Sequence, residues 1–317
     1  MVERQKLRAA VVGVGSLGQH HARIYSELDQ VELVGVVDQN TEQAKNIASK
    51  HHCEVFPDLA SLSGKVDVAS VVVPTEAHCE VSKNLLGNGI DILLEKPMTK
   101  TVEEADQLLE LAAQTGRILQ VGHIEQFNSG VKRLRASLER AHFIECHRMG
   151  PFAARGTDVH VILDLMIHDI DIILSLVASE IVEIRAVGVP VLTPQIDIAN
   201  VRLAFENGCV ANVTASRVSM EKLRKIRIFQ ADSYLSLDYM NQELVVGKRI
   251  FREGEAPKVS VEKIKVEKEE PLKAEIEAFI HAVQTRSVPK VSGEAGRKAL
   301  EISLRIVEMI QKGGLIG

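Results

Sequence analysis

The sequence has few cysteines, and none of them stands in C-x-x-C spacing. The four cysteines among its 317 residues are Cys53, Cys79, Cys146 and Cys209. Scattered cysteines are typical of reduced thiols in a cytosol, and they argue against a disulfide framework or a structural zinc site. The pattern predicts a cytoplasmic protein without a bound metal ion.

The sequence also lacks a strong excess of charge. Lysine and arginine number 38 against 43 aspartates and glutamates, a net charge of -5, and no segment concentrates the positive charge. Nucleic acid is therefore not an expected partner. A long hydrophobic run is missing near the N-terminus as well. The apolar stretch after the charged N-terminal residues reaches a glycine-rich segment almost at once. We predict neither a signal peptide nor a membrane span.

The apolar content is sufficient for two domains, since 45% of the residues are hydrophobic. From Leu7 to about Gly122, short β-rich runs alternate with helical segments, as in a parallel sheet covered on both faces. Thr101 and Gly116 are expected to cap one of these helices. The predicted strands are Leu7–Val12, Val31–Val37, Val68–Val73, Ile90–Leu94 and Ile118–Val121. We predict an α/β domain with a doubly wound parallel sheet over residues 1–123.

The pattern changes beyond Gly122. A very apolar helix is predicted over Val161–Val177, and a mixed-charge segment, Glu262–Glu270, predicts an exposed strand or loop before a helix over Leu272–Gln284. Further strands are predicted at Ile181–Val189, Asn200–Phe205, Cys209–Ser216 and Arg224–Gln230. These features favour a second, α+β domain over residues 124–317, with an open, mostly antiparallel sheet.

A glycine-rich turn follows the first predicted strand and opens a helix. Its sequence has the pattern G-x-G-x-x-G and comprises Gly13, Val14, Gly15, Ser16, Leu17 and Gly18. In a dinucleotide-binding Rossmann fold the first glycine permits the tight turn, the second lets the backbone approach a pyrophosphate, and the third allows close helix packing. The helix N-terminus attracts the phosphates. The alternative is a glycine turn that binds nothing.

Asp38 ends the second predicted strand, twenty positions after Gly18. A carboxylate at this place accepts hydrogen bonds from an adenosine ribose diol, which predicts NAD as the cofactor. The 2′-phosphate of NADP would meet like charge, and no arginine follows to receive it. The alternative is that Asp38 caps the next helix.

Glu95, Lys96 and Pro97 stand directly after the predicted strand Ile90–Leu94. In doubly wound sheets the carboxyl end of a strand is where ligands bind. Burial at a strand end is expected to lower the pKa of Lys96, so that this lysine is able to exchange protons. The alternative is an ordinary ion pair between Lys96 and Glu95.

Asp164 and His168 lie one turn apart in the apolar helix. An i, i+4 pair shares one face, so a carboxylate and an imidazole would project together to meet a substrate diol. The alternative is a hydrogen-bonded core histidine. His160 continues the spacing, but a rise of about 12 Å separates it from His168, whereas zinc-ligand bonds are only about 2 Å long. A two-ligand metal site at Asp164 and His168 stays open.

Taken together, these residues resemble the glucose-fructose oxidoreductase and inositol dehydrogenase family, Gfo/Idh/MocA, over essentially the whole chain. The resemblance implies NAD(P)-dependent oxidation of a secondary alcohol on a sugar, a cyclitol or a sugar nucleotide. It implies that Lys96 and His168 handle the hydroxyl proton and that Asp164 orients the substrate. The motifs that carry it are Gly13–Gly18, Pro74–His78, Glu95–Pro97, Asp164 with His168, Glu275–Ile280 and Val291–Glu301.

The same resemblance implies further features of the site and assembly. It places Pro74, Thr75, His78, Glu95 and Lys96 at the cofactor, and it implies a homodimer or homotetramer through the open sheet. The chain departs from the family before Phe127, where many members carry an arginine.

The segment from Arg148 to Asp158 is glycine-rich and basic. It resembles the branch that oxidises the 3-hydroxyl of UDP-linked N-acetylated glucosamine sugars, in which Arg148 or Arg155 would bind the diphosphate. The alternative is an ordinary surface loop. Other functions left open are an inositol or free-sugar dehydrogenase, a non-catalytic NAD sensor or scaffold, and a hydrolase that uses NAD transiently.

Overall fold

A computed structural model of the chain describes residues 6–153, 159–251, 256 and 258–313. It divides into two compact units. The first contains Met1–His123 and Leu272–Lys298, and the second contains Ile124–Pro271 and Ala299–Gly317. The first stretch of the first unit ends at His123, the predicted end of the first domain. The segment Leu272–Lys298 also belongs to the first unit, although the sequence analysis assigns it to the second domain. Helical periodicity reveals an apolar face but not which core that face covers.

The first unit is built on a six-stranded sheet with the order β3-β2-β1-β4-β5-β6. Every pairing in it is parallel. The strands are β1 (Leu7–Val12), β2 (Val31–Val37), β3 (Glu54–Val55), β4 (Val68–Val71), β5 (Asp91–Glu95) and β6 (Leu119–Gly122). The strand order reverses between β1 and β4, where doubly wound sheets bind their ligands. The predicted Rossmann fold is confirmed; only the two-residue strand β3 was missed.

Four helices connect the strands of the first sheet. They are α1 (Gly18–Glu27), α2 (Thr41–His51), α3 (Thr75–Gly87) and α4 (Val102–Thr115), with a short 3-10 turn at Ala60–Leu62. Both predicted caps of α4 are confirmed. The Thr101 hydroxyl accepts the Glu104 N–H at 3.2 Å, and Gly116 takes the left-handed conformation with φ of 64°.

The second unit is built on an eight-stranded sheet with the order β14-β13-β12-β11-β7-β10-β9-β8. Its strands are β7 (Phe143–Met149), β8 (Ile181–Val189), β9 (Ile198–Phe205), β10 (Val210–Ser216), β11 (Leu223–Phe229), β12 (Ser233–Asp238), β13 (Glu243–Ile250) and β14 (Lys258–Ile264). The β10–β7 pair is parallel and the other pairs are antiparallel, so the predicted mostly antiparallel sheet is confirmed.

Helices cover one face of this sheet. Helix α5 spans Ser129–Ser137, and the predicted apolar helix consists of a π-helical turn, Ile162–Met166, that continues into α6 (Ile167–Leu176). Helix α7 (Pro271–Thr285) belongs to the first unit apart from Pro271. Helix α8 (Gly293–Lys312) begins in the first unit and ends in the second, where Ile302, Ile306 and Ile310 join the core beneath the sheet. No helix in the described residues is both long and apolar enough to cross a membrane.

Strands β7, β12 and β13 were not predicted. In β7, buried Ile144, Cys146 and Arg148 alternate with half-buried residues, so a charged side chain occupies a position that alternation reserves for apolar ones. The alternative of an ordinary surface loop is therefore wrong at Arg148, because this residue lies within the strand. The segment Glu262–Glu270 is an exposed strand end and loop, as predicted.

Candidate active site

The glycine turn after β1 is constrained at two of its three glycines. Gly13 has a φ of +88°, and a Cβ there would lie 2.5 Å from the Val72 carbonyl oxygen. A Cβ on Gly18 would lie 1.9 Å from the Gly13 oxygen. Both positions exclude a side chain, since real Cβ atoms do not approach backbone so closely. The turn is therefore packed against the end of β4, at the reversal of strand order.

Gly15 differs from its two neighbours in the motif. A Cβ on Gly15 would meet no atom of the described chain within 4 Å, and Gly15 and Ser16 are exposed. Leu17 stands at the N-cap of α1, where no side chain provides a capping hydrogen bond. A helix N-terminus with open space in front of its backbone fits an anionic group. The turn thus fits the pyrophosphate of NAD.

Asp38 connects the end of β2 to this turn. Its Oδ2 accepts the Val14 N–H at 2.7 Å, and its Oδ1 accepts the Asn40 N–H at 2.8 Å. The half-buried carboxylate keeps further lone pairs for a ribose diol. The N-cap of α2 is Asn40, whose side chain accepts the Gln43 N–H, so the alternative that Asp38 caps this helix is wrong.

Pro74, at the N-cap of α3, is exposed, and Thr75, the first residue of that helix, is half-buried. His78 lies one turn further and is buried. Its Nδ1 is 2.9 Å from the Pro97 carbonyl oxygen, and its Nε2 is 2.9 Å from the Val73 carbonyl oxygen. Burial lowers the pKa of His78 despite these carbonyls. His78 thus lies between the turns that follow β4 and β5, and it positions these two turns relative to each other.

Lys96 is half-buried at the carboxyl end of β5, and a cis peptide bond joins it to Pro97. The Lys96 N–H donates to Glu95 Oε2 at 3.3 Å. Glu95 itself is buried and lies against Gly122 at the end of β6.

A buried polar network supports Glu95 from α1 and β4. His21 Nε2 lies 3.3 Å from Glu95 Oε1, while His21 Nδ1 lies 3.0 Å from the Ser70 hydroxyl. The Tyr25 hydroxyl lies 2.9 Å from the same oxygen of Ser70, and burial raises the pKa of Tyr25. The sequence analysis missed this network. The available signal was His21 on the buried face of α1, among apolar residues.

Asp164 and His168 lie on the helix of the second unit and are both half-buried. Asp164 falls inside the π-helical turn, and His168 is the second residue of α6. The π-helical turn was not predicted; such turns occur frequently at functional sites. Both side chains stay near one face of the helix, because a spacing of four residues is close to one turn in either geometry.

His160 precedes this helix rather than extending its face. Its Nδ1 accepts the Ile196 N–H at 3.1 Å, which anchors it to the segment before β9. Burial and the nearby Arg217 lower the pKa of His160. Within the described residues, no group of three or more potential metal ligands is found, and the four cysteines are separate thiols.

Arg148 lies in a buried cluster behind the helix that carries Asp164 and His168. Its Nε and Nη2 donate to both oxygens of Asp169 at 2.8 and 3.1 Å, and its Nη1 donates to Glu125 at 2.9 Å. Its guanidinium also lies 5.1 Å from the centre of the Tyr239 ring. Although burial opposes it, the carboxylates of Asp169 and Glu125 raise the pKa of Arg148.

The guanidinium of Arg148 is therefore bound by carboxylates of the protein, and the residue is only 3% exposed. The arginine therefore holds Asp169, the neighbour of His168, in place, and it presents little surface to a diphosphate. Arg155, the other predicted diphosphate ligand, lies outside the described residues. The sequence analysis missed Glu125, Asp169 and Tyr239 because they are scattered along the chain.

Gln126, where the chain departs from the family before Phe127, is buried. Its Nε2 donates to Asp171 at 2.7 Å, and its Oε1 accepts from Arg135 at 2.7 Å. The residue links the segment after β6 to α5 and α6. Its role in this structure is to position these elements within the second unit.

Two family models match the chain. The model described as "Oxidoreductase family, NAD-binding Rossmann fold" matches residues 7–123, and the GFO/IDH/MocA C-terminal domain matches residues 131–232.

Individual relatives match with different coverage. The chain is 38% identical over 306 residues to UDP-N-acetylglucosamine 3-dehydrogenase of Acidithiobacillus ferrooxidans, covering 95% of this chain and 96% of the relative. A solved structure of that enzyme superimposes with a TM-score of 0.91 at 36% identity, over 98% of this chain and 99% of the other. The scyllo-inositol 2-dehydrogenase (NAD(+)) of Bacillus subtilis is 26% identical over 68% of each chain. A myo-inositol 2-dehydrogenase structure from Lactobacillus plantarum, at 17% identity and a TM-score of 0.80 over 98% of each chain, shares the fold.

Proposed function

Because the chain belongs to the Gfo/Idh/MocA family of NAD-binding oxidoreductases, we propose that it oxidises the 3-hydroxyl of a UDP-linked N-acetylated glucosamine sugar. The observation that carries this proposal is the likeness to UDP-N-acetylglucosamine 3-dehydrogenase over nearly the full length of both chains. The inositol 2-dehydrogenase of Bacillus subtilis matches a smaller part of the chain at lower identity.

The cofactor is held by the turns at the carboxyl ends of β1, β2, β4 and β5. Gly13 and Gly18 shape the first turn, and the backbone around Gly15, Ser16 and Leu17 binds the pyrophosphate. Asp38 accepts the ribose hydroxyls. Pro74, Thr75 and Glu95 complete the site, with His78 holding two of its turns together. When bound, NAD accepts a hydride from the carbon that carries the reacting hydroxyl.

Three side chains act on the substrate. His168 removes the hydroxyl proton, because an imidazole ordinarily titrates near neutral pH. Lys96 donates a hydrogen bond to the same oxygen and stabilises its developing negative charge. Asp164, on the face of the helix that carries His168, orients the neighbouring hydroxyls. Supporting these roles, His168 directly precedes Asp169, which Arg148 fixes, and Lys96 directly follows Glu95, which His21 contacts.

The test is formation of NADH from UDP-N-acetylglucosamine carrying deuterium at C3. The proposal predicts deuterated NADH from this substrate and unlabelled NADH from the matched substrate labelled at C4. Faster turnover of inositol or free N-acetylglucosamine would assign the chain to the alternative dehydrogenases. NAD binding without turnover of any of them would indicate a sensor or scaffold, and release of UDP without net reduction would indicate a hydrolase.

The assembly and compartment are part of the proposal. We propose a homodimer or homotetramer that uses the sheet face opposite the helices, where Phe143 and Phe229 stack with ring centroids 5.6 Å apart. Light scattering at micromolar concentration tests this, and a monomeric mass would contradict it. The scattered thiols support a reducing, cytoplasmic compartment.

A further inference from the structure

Three arginines lie at one end of three neighbouring central strands of the eight-stranded sheet, β11, β7 and β10. Arg148 stands near the carboxyl end of β7, Arg217 directly follows β10, and Arg224 is the second residue of β11. The strand register places them together, because Ser216 and Leu223 both pair with Met149, and Arg224 pairs with Arg148. Residues paired across antiparallel strands share a face, so Arg148 and Arg224 lie side by side on the helix-covered face.

Two of these arginines have protein partners. Arg148 is held by Asp169 and Glu125. Arg217 is buried, donates to the Val159 carbonyl at 2.6 Å and lies 3.8 Å from Asp197. Their charges are therefore matched inside the protein.

Arg224 is different from both. It is half-buried, and throughout the described part of the chain no carboxylate comes within ion-pair distance of its guanidinium. Burial and the neighbouring Arg148 lower its pKa, while Glu125, Asp169 and Asp164 act on it electrostatically in the opposite direction. An arginine stays charged at all working pH values. A partly desolvated charge without a paired group is costly, and a bound anion offsets that cost.

The position of Arg224 also matters. Arg224 pairs with Arg148 across the two strands, and Arg148 binds Asp169, the residue that directly follows His168. Arg224 thus lies on the side of the sheet that faces the helix of Asp164 and His168, where the anionic part of a ligand whose sugar ring is held by these two residues could meet it. A planar guanidinium binds phosphate oxygens in pairs, which suits a diphosphate.

We propose that Arg224 binds the diphosphate of the nucleotide-sugar substrate. This rests on the proposed function, and it assigns the diphosphate to a residue other than Arg148. Arg148 instead binds Asp169 and thereby supports the helix that carries His168. Arg224 then distinguishes a nucleotide sugar from a free sugar or cyclitol, since neither of these carries an anion to pair with it.

The experiment measures UDP binding by calorimetry, with NAD saturating, in the parent protein and in Arg224→Met and Arg224→Lys variants. The matched control is Arg133→Met, which removes the same charged group from an exposed position of α5. We expect the dissociation constant of UDP to rise roughly 10- to 100-fold in Arg224→Met, because a charge-assisted hydrogen bond is lost. The Arg224→Lys variant should restore part of the affinity, and Arg133→Met should bind UDP like the parent.

The remaining readouts separate a binding role from a structural one. The melting temperature and the NAD affinity of Arg224→Met should stay close to those of the parent. Equal UDP affinity in Arg224→Met and the parent, or no UDP binding by the parent, would overturn the inference, even if UDP-N-acetylglucosamine is oxidised. Conversely, UDP binding that depends on Arg224 without any oxidation of UDP-N-acetylglucosamine would sustain the inference and refute the proposed function.

Discussion

The glycine turn of the first unit and the arginine cluster of the second both offer hydrogen-bond donors to negatively charged groups, but the donors are of different kinds. The turn presents backbone N–H groups from consecutive residues, and its constraint is the absence of side chains at Gly13 and Gly18. The cluster joins charged side chains from widely separated elements, with Arg148 at its centre. Local sequence therefore determines the first arrangement, whereas the second depends on the completed fold.

The largest expected effects are at His168 and Lys96, the residues of the two units that we propose to act on the substrate. His168→Ala should lower turnover of UDP-N-acetylglucosamine by about 10²- to 10⁴-fold and flatten the acid limb of the pH-rate profile, because the general base is lost. Lys96→Met should lower it by about a hundredfold or more, because an oxyanion donor is lost. Initial rates of NADH formation measure both.

Two further measurements complete this test. NAD affinity of the His168→Ala variant should match that of the parent, and His281→Ala, which removes an exposed histidine of α7, should turn over normally. If both active-site variants keep turnover within about threefold of the parent, far below the general-base range, the assigned roles are wrong.

The next effect concerns stability and is specific to the second region. Arg148→Met leaves the Asp169 and Glu125 carboxylates buried without their partner, which should lower the free energy of unfolding by about 3 to 5 kcal/mol. Denaturant unfolding measures this. Arg185→Met, which removes an exposed arginine paired with Glu183 on β8, is the control and should change stability little. Equal stabilities of the two variants would show that the cluster does not hold the second unit together.

The same contrast explains what the sequence predicted and what it did not. The parallel strands, the caps at Thr101 and Gly116 and the glycine turn follow from short patterns with one physical solution, and the structure contains them. Strand β7 was missed because Arg148 interrupts its apolar face, and its partner Asp169 lies 21 positions away along the chain. The chemistry and local spacing of Lys96, Asp164 and His168 indicated them as candidate catalytic residues. The sequence gives no such signal for Arg224, because only the fold shows that its charge lacks a paired carboxylate among the described residues.

The glycines of the turn should differ in what their substitution costs. Gly15→Ala adds a Cβ in open space, so stability should hardly change, but NAD should bind roughly tenfold or more weakly because its pyrophosphate loses close backbone contacts. Gly18→Ala forces a Cβ against the Gly13 oxygen and should lower stability by about 1 to 3 kcal/mol. Calorimetry and thermal unfolding measure the two effects, and unchanged NAD affinity in Gly15→Ala would contradict the pyrophosphate site.

The smallest expected effect is at Asp38, where a side chain joins the backbone-built region. Its carboxylate accepts N–H groups from Val14 and Asn40 and is proposed to accept the ribose hydroxyls as well. Removing its charge in Asp38→Asn should weaken NAD by up to roughly tenfold while NADP gains, because the repulsion of a 2′-phosphate is relieved. Asp38→Ala should narrow or reverse the preference for NAD, since it also removes the remaining oxygen that could accept a ribose hydroxyl. Dissociation constants of NAD and NADP for the parent and both variants decide the matter. Equal affinities for the two cofactors in the parent would mean that Asp38 serves only to connect β2 to the glycine turn.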